Sequence, residues 1–392
     1  MNEPLVLTGF AEAYAAIESA WSLRDAGFRV AAFTRRGERP ALRRVRRVQL
    51  HEVSPPEQGV EATLADLAAL IDELEPAAVL PLDDTSLLLT KSLDRMTVAG
   101  PTGEAAEISL DKALQVEAAR EAGLLVPQTT VVGEQDKLEV SDYPAVVKPA
   151  RALYESNGRF ERPTGSVVAN REELERVAAE ATYRPLLVQP LIEGTGEGLF
   201  GHATPDGVVA WSAHRRVRML NPQGSASSAC ESIEPDPELI EAAERLLGKL
   251  GWSGLFMLEF LRDAEGRPWF MELNGRAWGS MALARRRGYE YPAWTVRDAL
   301  DPEFRPEPPA DPPSVLCRHL GMELAHLAFV ARGPQSEALT SWPKLWPTIR
   351  QMARVTRRDR LYNWRRSEPD VLVADTWSFV RFFAGRALRG RA

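Results

Sequence analysis

The first hundred residues alternate short apolar runs with stretches of helical periodicity. Residues 5–8, 29–33 and 77–81 are short apolar runs typical of strands, and residues 63–74 have the pattern of an intervening helix. Strands that alternate with helices favour a parallel, doubly wound sheet. The first turn, residues 8–12, has one glycine where a dinucleotide fingerprint needs three. A structural or substrate-binding Rossmann-like lobe is therefore favoured over a nucleotide site there.

Residues 257–274 predict a β-hairpin with paired acids. Two apolar runs flank a glycine-containing turn, and a turn centred between Glu265 and Gly266 places Glu259 opposite Glu272. Asn274 lies two residues further on and shares their face. Directly opposed carboxylates repel each other, so a positive group should compensate them.

Two carboxylates and an amide oxygen form a hard, oxygen-only ligand set. Such a set suits Mg²⁺, which often binds one or two carboxylates and completes its shell with substrate phosphates. The alternative is an edge hairpin with solvated acids and a second turn at residues 274–275. The segment that follows, residues 276–284, lacks the alternation of a returning strand, and this favours the metal site.

Lysines are rare in this chain, six against 42 arginines, so each lysine within a predicted element is informative. Lys148 ends the apolar run 145–147, where a compact charge suits phosphate oxygens; the alternative is a lysine that reaches solvent at a sheet edge. Lys112 lies in the first turn of a predicted helix at about 110–122, where the helix dipole disfavours a cation. Its alternative role is that of a solvated surface residue.

Residues 214–228 are candidates for substrate binding. Strand alternation places Arg216 and Arg218 on one face, and arginine forks bind carboxylates or phosphates bidentately. A loop of small residues, 221–228, follows them and would let a substrate approach the backbone. The alternative is a charged strand face above a flexible loop.

Five short motifs, in this order, resemble the ATP-grasp superfamily, and specifically its carboxylate–amine ligase branch. They cover about half of the chain, and about three quarters with the N-terminal lobe. The motifs are Asp111-Lys112, Val146-Val147-Lys148-Pro149, Val188-Gln189-Pro190-Leu191-Ile192-Glu193-Gly194, Met257-Leu258-Glu259-Phe260, and Met271-Glu272-Leu273-Asn274-Gly275-Arg276-Ala277-Trp278-Gly279-Ser280.

The resemblance implies a role for each matching residue. Lys112 and Lys148 would hold the phosphates of ATP, and Arg276 would face the transferring phosphoryl group. Gln189, with the backbone at Leu191 and Ile192, would meet adenine, and Glu197 would contact the ribose. Glu259, Glu272 and Asn274 would hold Mg²⁺, as two ions, with Mn²⁺ as an alternative metal. Arg216 and Arg218 would lie beside the acyl phosphate.

The chain departs from the family pattern at two places. Asn274-Gly275-Arg276 stands where Asn-Pro-Arg is usual, which would loosen that turn. The loop expected to cover the phosphates, residues 151–165, has only two glycines and carries three arginines instead, so its backbone amides are less certain phosphate donors.

The resemblance and the patterns together predict an α/β (α+β) ATP-grasp fold. We expect an N-terminal Rossmann-like pre-ATP-grasp domain at 1–100, a small ATP-grasp subdomain with the phosphate-covering loop at 101–184, and a large subdomain with the Mg²⁺ site at 185–305. An Arg-rich helical region would occupy 306–392. Residues 301–313 hold six prolines, which is typical of a stiff linker or a boundary.

Composition narrows the partners and the location. The net charge of −7 argues against a general nucleic-acid binder. Two distant cysteines, no visible signal peptide and no long apolar stretch predict a cytoplasmic protein without a transmembrane span. From residue 345 onward, eleven arginines face four acids. This basic tail would dock on the acidic body of the chain; peripheral membrane contact through a stripe of residues 377, 380, 383, 384 and 388 is the alternative.

The expected activity is ATP-dependent ligation of a small-molecule carboxylate to an amine through an acyl phosphate. Bicarbonate activation, as in biotin carboxylases and carbamoyl-phosphate synthases, is the alternative enzyme reaction. A nucleotide-binding, membrane-associated protein without ligase activity is the alternative from another class. The oligomeric state, with a homodimer among the options, is left open by the sequence.

Overall fold

A computed structural model describes residues 3–93, 96–134, 136, 140, 142–224, 226–334, 339 and 341–388, with residues 383–388 described by their backbone. The N-terminal lobe comprises β1 (Leu5–Gly9), α1 (Ala16–Asp25), β2 (Arg29–Arg35), a short 3₁₀ helix (Ala41–Arg44), β3 (Val48–Val53), α2 (Val60–Leu74), β4 (Ala78–Pro81) and α3 (Asp84–Thr90).

The N-terminal sheet is parallel, as the alternation of strands and helices predicts. Its order is β3-β2-β1-β4, so β1 lies between β2 and β4 and is buried along its whole length. The sequence patterns missed β3, whose half-exposed residues lack an apolar run. The carboxyl ends of these strands lie along one edge, where α3 begins with Asp84 directly after its cap Asp83.

The helix expected at about 110–122 is present as a single helix, and a break at Asp111 separates it from the preceding one. The next elements are α4 (Gly103–Leu110), α5 (Lys112–Glu121), β5 (Thr130–Val132) and β6 (Ala145–Pro149). Asp111 has extended backbone angles, and its side chain accepts hydrogen bonds from the amides of Ala113 and Leu114. An aspartate in this position caps the helix that follows it. Lys112 therefore begins α5, in its first turn, as the sequence predicts.

The expected phosphate-covering loop contains a hairpin of β7 (Tyr154–Ser156) and β8 (Arg159–Glu161). The hairpin is docked on the N-terminal lobe. Phe160 is buried in that lobe's core, and its amide donates to the Pro56 carbonyl over 2.9 Å. The amide of Val60 donates in return to the Gly158 carbonyl over 2.8 Å. These contacts hold the segment against the lobe.

The small subdomain is completed by β9 (Ser166–Val168), α6 (Arg171–Glu180) and β10 (Leu186–Pro190). Its sheet is antiparallel with the order β5-β10-β6-β9. In the register of β6 with β10, Lys148 pairs with Leu187 and Val146 with Gln189. Because alternate residues share a face, Lys148 and Gln189 lie on the same side of this sheet.

The large sheet begins with β11 (Thr195–Thr204), β12 (Gly207–Met219), β13 (Ser227–Ile233), α7 (Pro237–Lys249), β14 (Gly254–Arg262) and β15 (Pro268–Asn274). Its strand order continues with two later strands, β16 (Leu316–Arg318) and β17 (Asp359–Leu361), as β15-β14-β11-β12-β13-β16-β17.

The hairpin of β14 and β15 has the predicted pairing at its acids. Glu259 lies opposite Glu272, and Met257 lies opposite Asn274. Nearer the turn the register shifts by one residue, so that Phe260 faces Phe270. The turn is therefore displaced from its predicted centre, and a bulge restores the predicted register where the acids lie.

The helices that follow are α8 (Met281–Arg286), α9 (Tyr291–Leu300), α10 (Leu320–Arg332), α11 (Leu345–Ala353) and α12 (Pro369–Leu388). One hydrophobic core joins the N-terminal lobe to the large sheet, with Trp21 of α1 in the same cluster as Trp278 and Tyr291. This shared core fixes the carboxyl edge of the N-terminal sheet beside the segment that follows β15.

The C-terminal helix α12 docks on the body of the chain. Val371 and Asp375 are buried, and the Phe379 ring meets the His319 ring at 4.6 Å. Trp377, which belongs to the stripe considered for membrane contact, is exposed, whereas Asp375 turns inward to bond Asn363 and His319. The side chains at 383, 384 and 388 lie outside the described residues. Within the described chain, no helix combines the length and apolarity needed to cross a membrane.

Candidate active site

The predicted metal ligands meet at the inner end of the β14–β15 hairpin. Glu259 and Glu272 are directly paired, and the Asn274 side-chain nitrogen donates to Glu259 Oε1 over 3.3 Å. Each carboxylate has a cationic partner: Arg216 bonds Glu259, and Lys112 Nζ lies 2.6 Å from Glu272 Oε1. The positive compensation expected for two opposed acids is therefore present.

The two predicted phosphate lysines reach the same place from different elements. Lys112 extends from the start of α5, and its backbone amide donates to the Ala150 carbonyl, just beyond β6. Lys148 extends from β6 itself. Burial, and to a smaller extent the charge of Lys112, lowers the pKa of Lys148 to about 8, although Glu272 partly opposes both. For Lys112, burial favours the neutral form, but Glu272 outweighs it and raises the pKa.

Arg276 is held by a residue that the sequence analysis missed. Its Nε donates to Asp84 Oδ1 over 2.9 Å, and Arg162, which follows β8, donates to Asp84 Oδ2 over 2.9 Å. Burial would raise the pKa of Asp84, but the two arginines keep it well below its usual range. The available signal was a pair of acids directly after the buried strand β4, at the edge where ligands bind open α/β sheets.

The assembled site has a net positive charge. Its cations outnumber its acids by five to three: Lys112, Lys148, Arg162, Arg216 and Arg276 against Asp84, Glu259 and Glu272. Burial strengthens each of these interactions, because the effective dielectric inside a protein is lower than in water. A polyphosphate is a ligand that such a surplus would neutralise.

The donor set fits Mg²⁺ by its chemistry. It contains two adjacent carboxylates and one amide oxygen, which are the hard oxygen ligands that Mg²⁺ binds. Among the described residues, no group of three or more His, Cys, Asp or Glu side chains is arranged to hold a metal ion. Glu259 and Glu272 could therefore supply two ligands, with the remaining positions taken by Asn274, water or substrate phosphate.

Arg216 joins this cluster, whereas Arg218 does not. The prediction that both share a strand face is wrong, because a bulge in β12 pairs them with the adjacent residues Cys230 and Ala229. Arg218 is instead buried against Glu323 of α10, with Nε 2.7 Å from Oε1. Arg318 bonds the second oxygen of that carboxylate.

The predicted adenine residues lie at the end of β10 and just beyond it. The Gln189 side-chain nitrogen donates to Thr129 Oγ1 over 2.7 Å, which directs its oxygen elsewhere as an acceptor. The Leu191 amide donates to the Pro144 carbonyl over 2.9 Å, and Ile192 follows it, half-buried. Gln189 shares the small sheet with Lys148.

Glu197 is not brought to this cluster. Its neighbour Gly198 pairs with Glu259, so strand alternation directs Glu197 to the other face of the large sheet. There its carboxylate accepts hydrogen bonds from Arg262 over 2.8 Å and from Arg215 over 3.3 Å. A ribose contact through Glu197 has no support in this arrangement.

Comparisons with known proteins agree with this architecture. Residues 184–319 match the family described as ATP-grasp in the biosynthetic pathway with Ter operon. The fold resembles the L-amino acid ligase from Bacillus licheniformis, with a TM-score of 0.61 and 18% identity over 76% of this chain and 74% of the ligase. The chain therefore has an ATP-grasp fold.

Two further solved structures have a similar fold. The N5-carboxyaminoimidazole synthetase from Staphylococcus aureus, solved with ADP, has a TM-score of 0.62 at 14% identity over 81% of this chain and 82% of its own. The third structure is the biotin carboxylase domain of the Hydrogenobacter thermophilus 2-oxoglutarate carboxylase, solved with MgADP and bicarbonate. Its TM-score is 0.60 at 18% identity, over 80% of this chain and 73% of that one. No curated protein sequence matches the chain.

Proposed function

We propose that this protein, which has an ATP-grasp fold, is a ligase that activates a carboxylate as an acyl phosphate and joins it to an amine. The observation that carries the proposal is the cluster in which Lys112, Lys148 and Arg276 surround the opposed carboxylates Glu259 and Glu272. Such a cluster combines phosphate-binding cations with oxygen ligands for Mg²⁺. The likeness to an L-amino acid ligase supports the same reaction class.

Each part of the cluster has a proposed task. Lys112 and Lys148 bind the phosphate oxygens of ATP, while Gln189 and the backbone at Leu191 and Ile192 contact adenine. Arg276, positioned by Asp84, stabilises negative charge on the transferring phosphoryl group.

Glu259, Glu272 and Asn274 would hold Mg²⁺, which supplies charge neutralisation to the phosphates when bound. Binding of the metal and of ATP would require Lys112 and Arg216 to exchange their present carboxylate partners for phosphate or substrate oxygens. The carboxylates in turn would be released to coordinate the metal.

The reaction would proceed in two steps. A substrate carboxylate oxygen attacks the γ-phosphorus, the bond to the β–γ bridging oxygen breaks, and ADP leaves. The amine nitrogen then attacks the carbonyl carbon of the acyl phosphate; inorganic phosphate leaves, and the nitrogen loses a proton to solvent. Positioning and charge neutralisation by the protein account for the catalysis in this scheme.

The test is ADP release with Mg²⁺-ATP and hydroxylamine against a panel of amino acids and other carboxylates. Hydroxylamine converts an acyl phosphate to a hydroxamate, so a carboxylate-dependent hydroxamate supports the proposal. Glu272→Gln should abolish it. Glu265→Gln, which changes an exposed glutamate in the turn of the same hairpin, should retain full activity. An active Glu272→Gln enzyme contradicts the metal assignment.

Bicarbonate activation is the second candidate, favoured by the likeness to a biotin carboxylase domain solved with bicarbonate. The same assay separates the two reactions. ADP release that requires bicarbonate, and that yields no hydroxamate with any carboxylate of the panel, identifies this alternative. If ADP release in bicarbonate-depleted buffer requires an organic carboxylate, bicarbonate activation is excluded.

A further inference from the structure

A cavity of about 1070 Å³ lies outside the cluster described above. Three segments enclose it: residues 11–17 after β1, residues 37–44 around the 3₁₀ helix, and the face of α12 between Asp370 and Phe382. Its volume suits a small organic molecule. One wall belongs to α12, which lies beyond residues 184–319, the part of the chain that matches the family.

Four arginines of the cavity lining make no ion pair with any of the described residues. Arg39, Arg43, Arg44 and Arg381 line it and are exposed. Within the described chain, no carboxylate lies within ion-pair distance of these four guanidinium groups. Two exposed acids on the lining, Glu38 and Asp370, offset half of this charge.

The remaining acids of the cavity already have partners. Glu12 accepts a hydrogen bond from the Arg35 amide over 3.1 Å and pairs with its guanidinium. Asp375 lies 3.1 Å from His319 Nε2 and accepts a hydrogen bond from Asn363 over 3.0 Å. The four arginines therefore have guanidinium groups available to a ligand, and carboxylate or phosphate is the chemistry that complements them.

The other side of the cavity is apolar and aromatic. Val373, Trp377 and Phe382 of α12 line it with 68%, 60% and 56% of their surface exposed. The Tyr14 ring stacks on Phe379 at 5.7 Å. Leaving large apolar side chains in water forgoes burial energy, and a cluster of them beside polar groups marks a binding site. An apolar or aromatic ligand body suits this wall.

Tyr14 connects the cavity to the phosphate cluster. The Tyr14 side chain lies against Gly279, which is three residues after Arg276. A Cβ atom placed on Gly279 would lie 3.6 Å from the Tyr14 side chain. The charge of Arg162 also acts on Tyr14, and Arg162 shares the Asp84 carboxylate with Arg276. Tyr14 therefore lines the cavity on one side and contacts the segment that follows Arg276 on the other.

We propose that this cavity binds the carboxylate substrate, a small anionic molecule with an apolar or aromatic body. The arginines at 39, 43, 44 and 381 would bind its anionic group, and the α12 wall would contact its body. The identification of this ligand as the substrate rests on the ligase function proposed above.

The first experiment measures binding without catalysis. The probe is the fluorescent dye 8-anilinonaphthalene-1-sulfonate, which combines an anion with an aromatic body. In the cavity variant, Arg43, Arg44 and Arg381 are all replaced by glutamine. The control variant replaces three exposed arginines outside the cavity, Arg46, Arg332 and Arg366, so that its net charge is identical.

We expect the dissociation constant of the dye to rise at least about tenfold in the cavity variant, since charge-assisted contacts are lost, and to stay within about twofold in the control. Circular dichroism and ATP affinity should match the unaltered chain in both variants. Equal dye binding by the two variants overturns the proposal. Displacement of the bound dye by phenylacetate, compared with displacement by phenyl phosphate, shows whether the cavity prefers a carboxylate or a phosphate. If benzyl alcohol, which has no charge, displaces the dye as well as these anions do, the cavity is not an anion site.

The second experiment separates this proposal from the ligase function. In the hydroxamate assay, the cavity variant should raise KM for the active carboxylate at least about tenfold while KM for ATP is unchanged. If no carboxylate is turned over but the dye result holds, the anion site stands and the ligase function fails. If turnover occurs with KM unaltered in the cavity variant, the substrate assignment is overturned. The protein could instead bind phosphatidylglycerol vesicles, lose that binding in the cavity variant, and show no displacement of the dye by phenylacetate or phenyl phosphate. This result would overturn the substrate assignment in favour of a membrane contact.

Discussion

Lys148 is expected to titrate near pH 8 in the chain without nucleotide. Burial in β6 is the main cause of its lowered pKa, and the nearby charge of Lys112 adds to it. A pKa of about 8 against an ordinary value of 10.5 means that the side chain is about 90% protonated at pH 7 and about 10% protonated at pH 9. Its affinity for phosphate should weaken over the same interval.

The lowered pKa also has a consequence for stability. Because the folded chain binds this proton more weakly than the unfolded chain, the charged lysine costs at most about 3 kcal/mol below pH 8. That cost disappears as the pH rises from about 8 towards 10.5, so this group makes the fold more stable with rising pH in that window. Lys148→Met should therefore stabilise the protein at pH 7 by about 1–3 kcal/mol, and by much less at pH 10.5.

The titration can be observed directly because the chain has only six lysines. Reductive methylation with ¹³C-formaldehyde gives each lysine an NMR signal, and the signal missing in Lys148→Met assigns the residue. Urea unfolding at pH 7 and pH 10.5 measures stability, with Lys249→Met, which removes an exposed lysine paired with Glu121, as the control. The reasoning fails if the assigned signal titrates above pH 10, or if Lys148→Met destabilises the protein at pH 7.

Three further predictions concern the surroundings of the cluster. Asp84→Asn should lower kcat about 100-fold with KM for ATP within about threefold, because Arg276 loses its positioning partner; steady-state kinetics measure the split, and an unchanged kcat contradicts the assigned role. Phe160→Ala should destabilise the protein by about 3 kcal/mol and expose residues 151–165 to limited proteolysis; unchanged cleavage would show that other contacts hold the segment. Arg218→Leu should cost about 3 kcal/mol in urea unfolding, since Glu323 loses a buried partner. The KM values of this variant should stay unchanged. A selective rise in KM for the carboxylate substrate would show that Arg218 contributes to substrate binding.

Local patterns predicted the elements that carry the cluster. The hairpin register placed Glu259 opposite Glu272, and the helix start placed Lys112 in a first turn. The overall α/β class followed from the alternation of strands and helices. These features depend on neighbours within a few residues or on a single short turn, and periodicity in the sequence reports such neighbours directly.

Simple alternation failed where a local irregularity interrupted the strand. The bulge in β12 separated Arg216 from Arg218, although simple alternation placed them together. The face through which α12 docks also depends on residues outside the helix, because the buried acid Asp375 is bonded by His319 and Asn363. The apolar pattern of a single element records neither the bulge nor these partners.

The tertiary structure alone brought Asp84 to Arg276, which lies 192 positions further along the chain. It also docked residues 151–165 on the N-terminal lobe and enclosed the cavity beneath α12. The sequence by itself determined which residues share a strand face or begin a helix, because those relations are set by backbone geometry over short distances. The packing of the N-terminal lobe against the large sheet depends on many weak contacts in a shared core. These contacts join residues far apart in the chain, so no short sequence pattern predicts them.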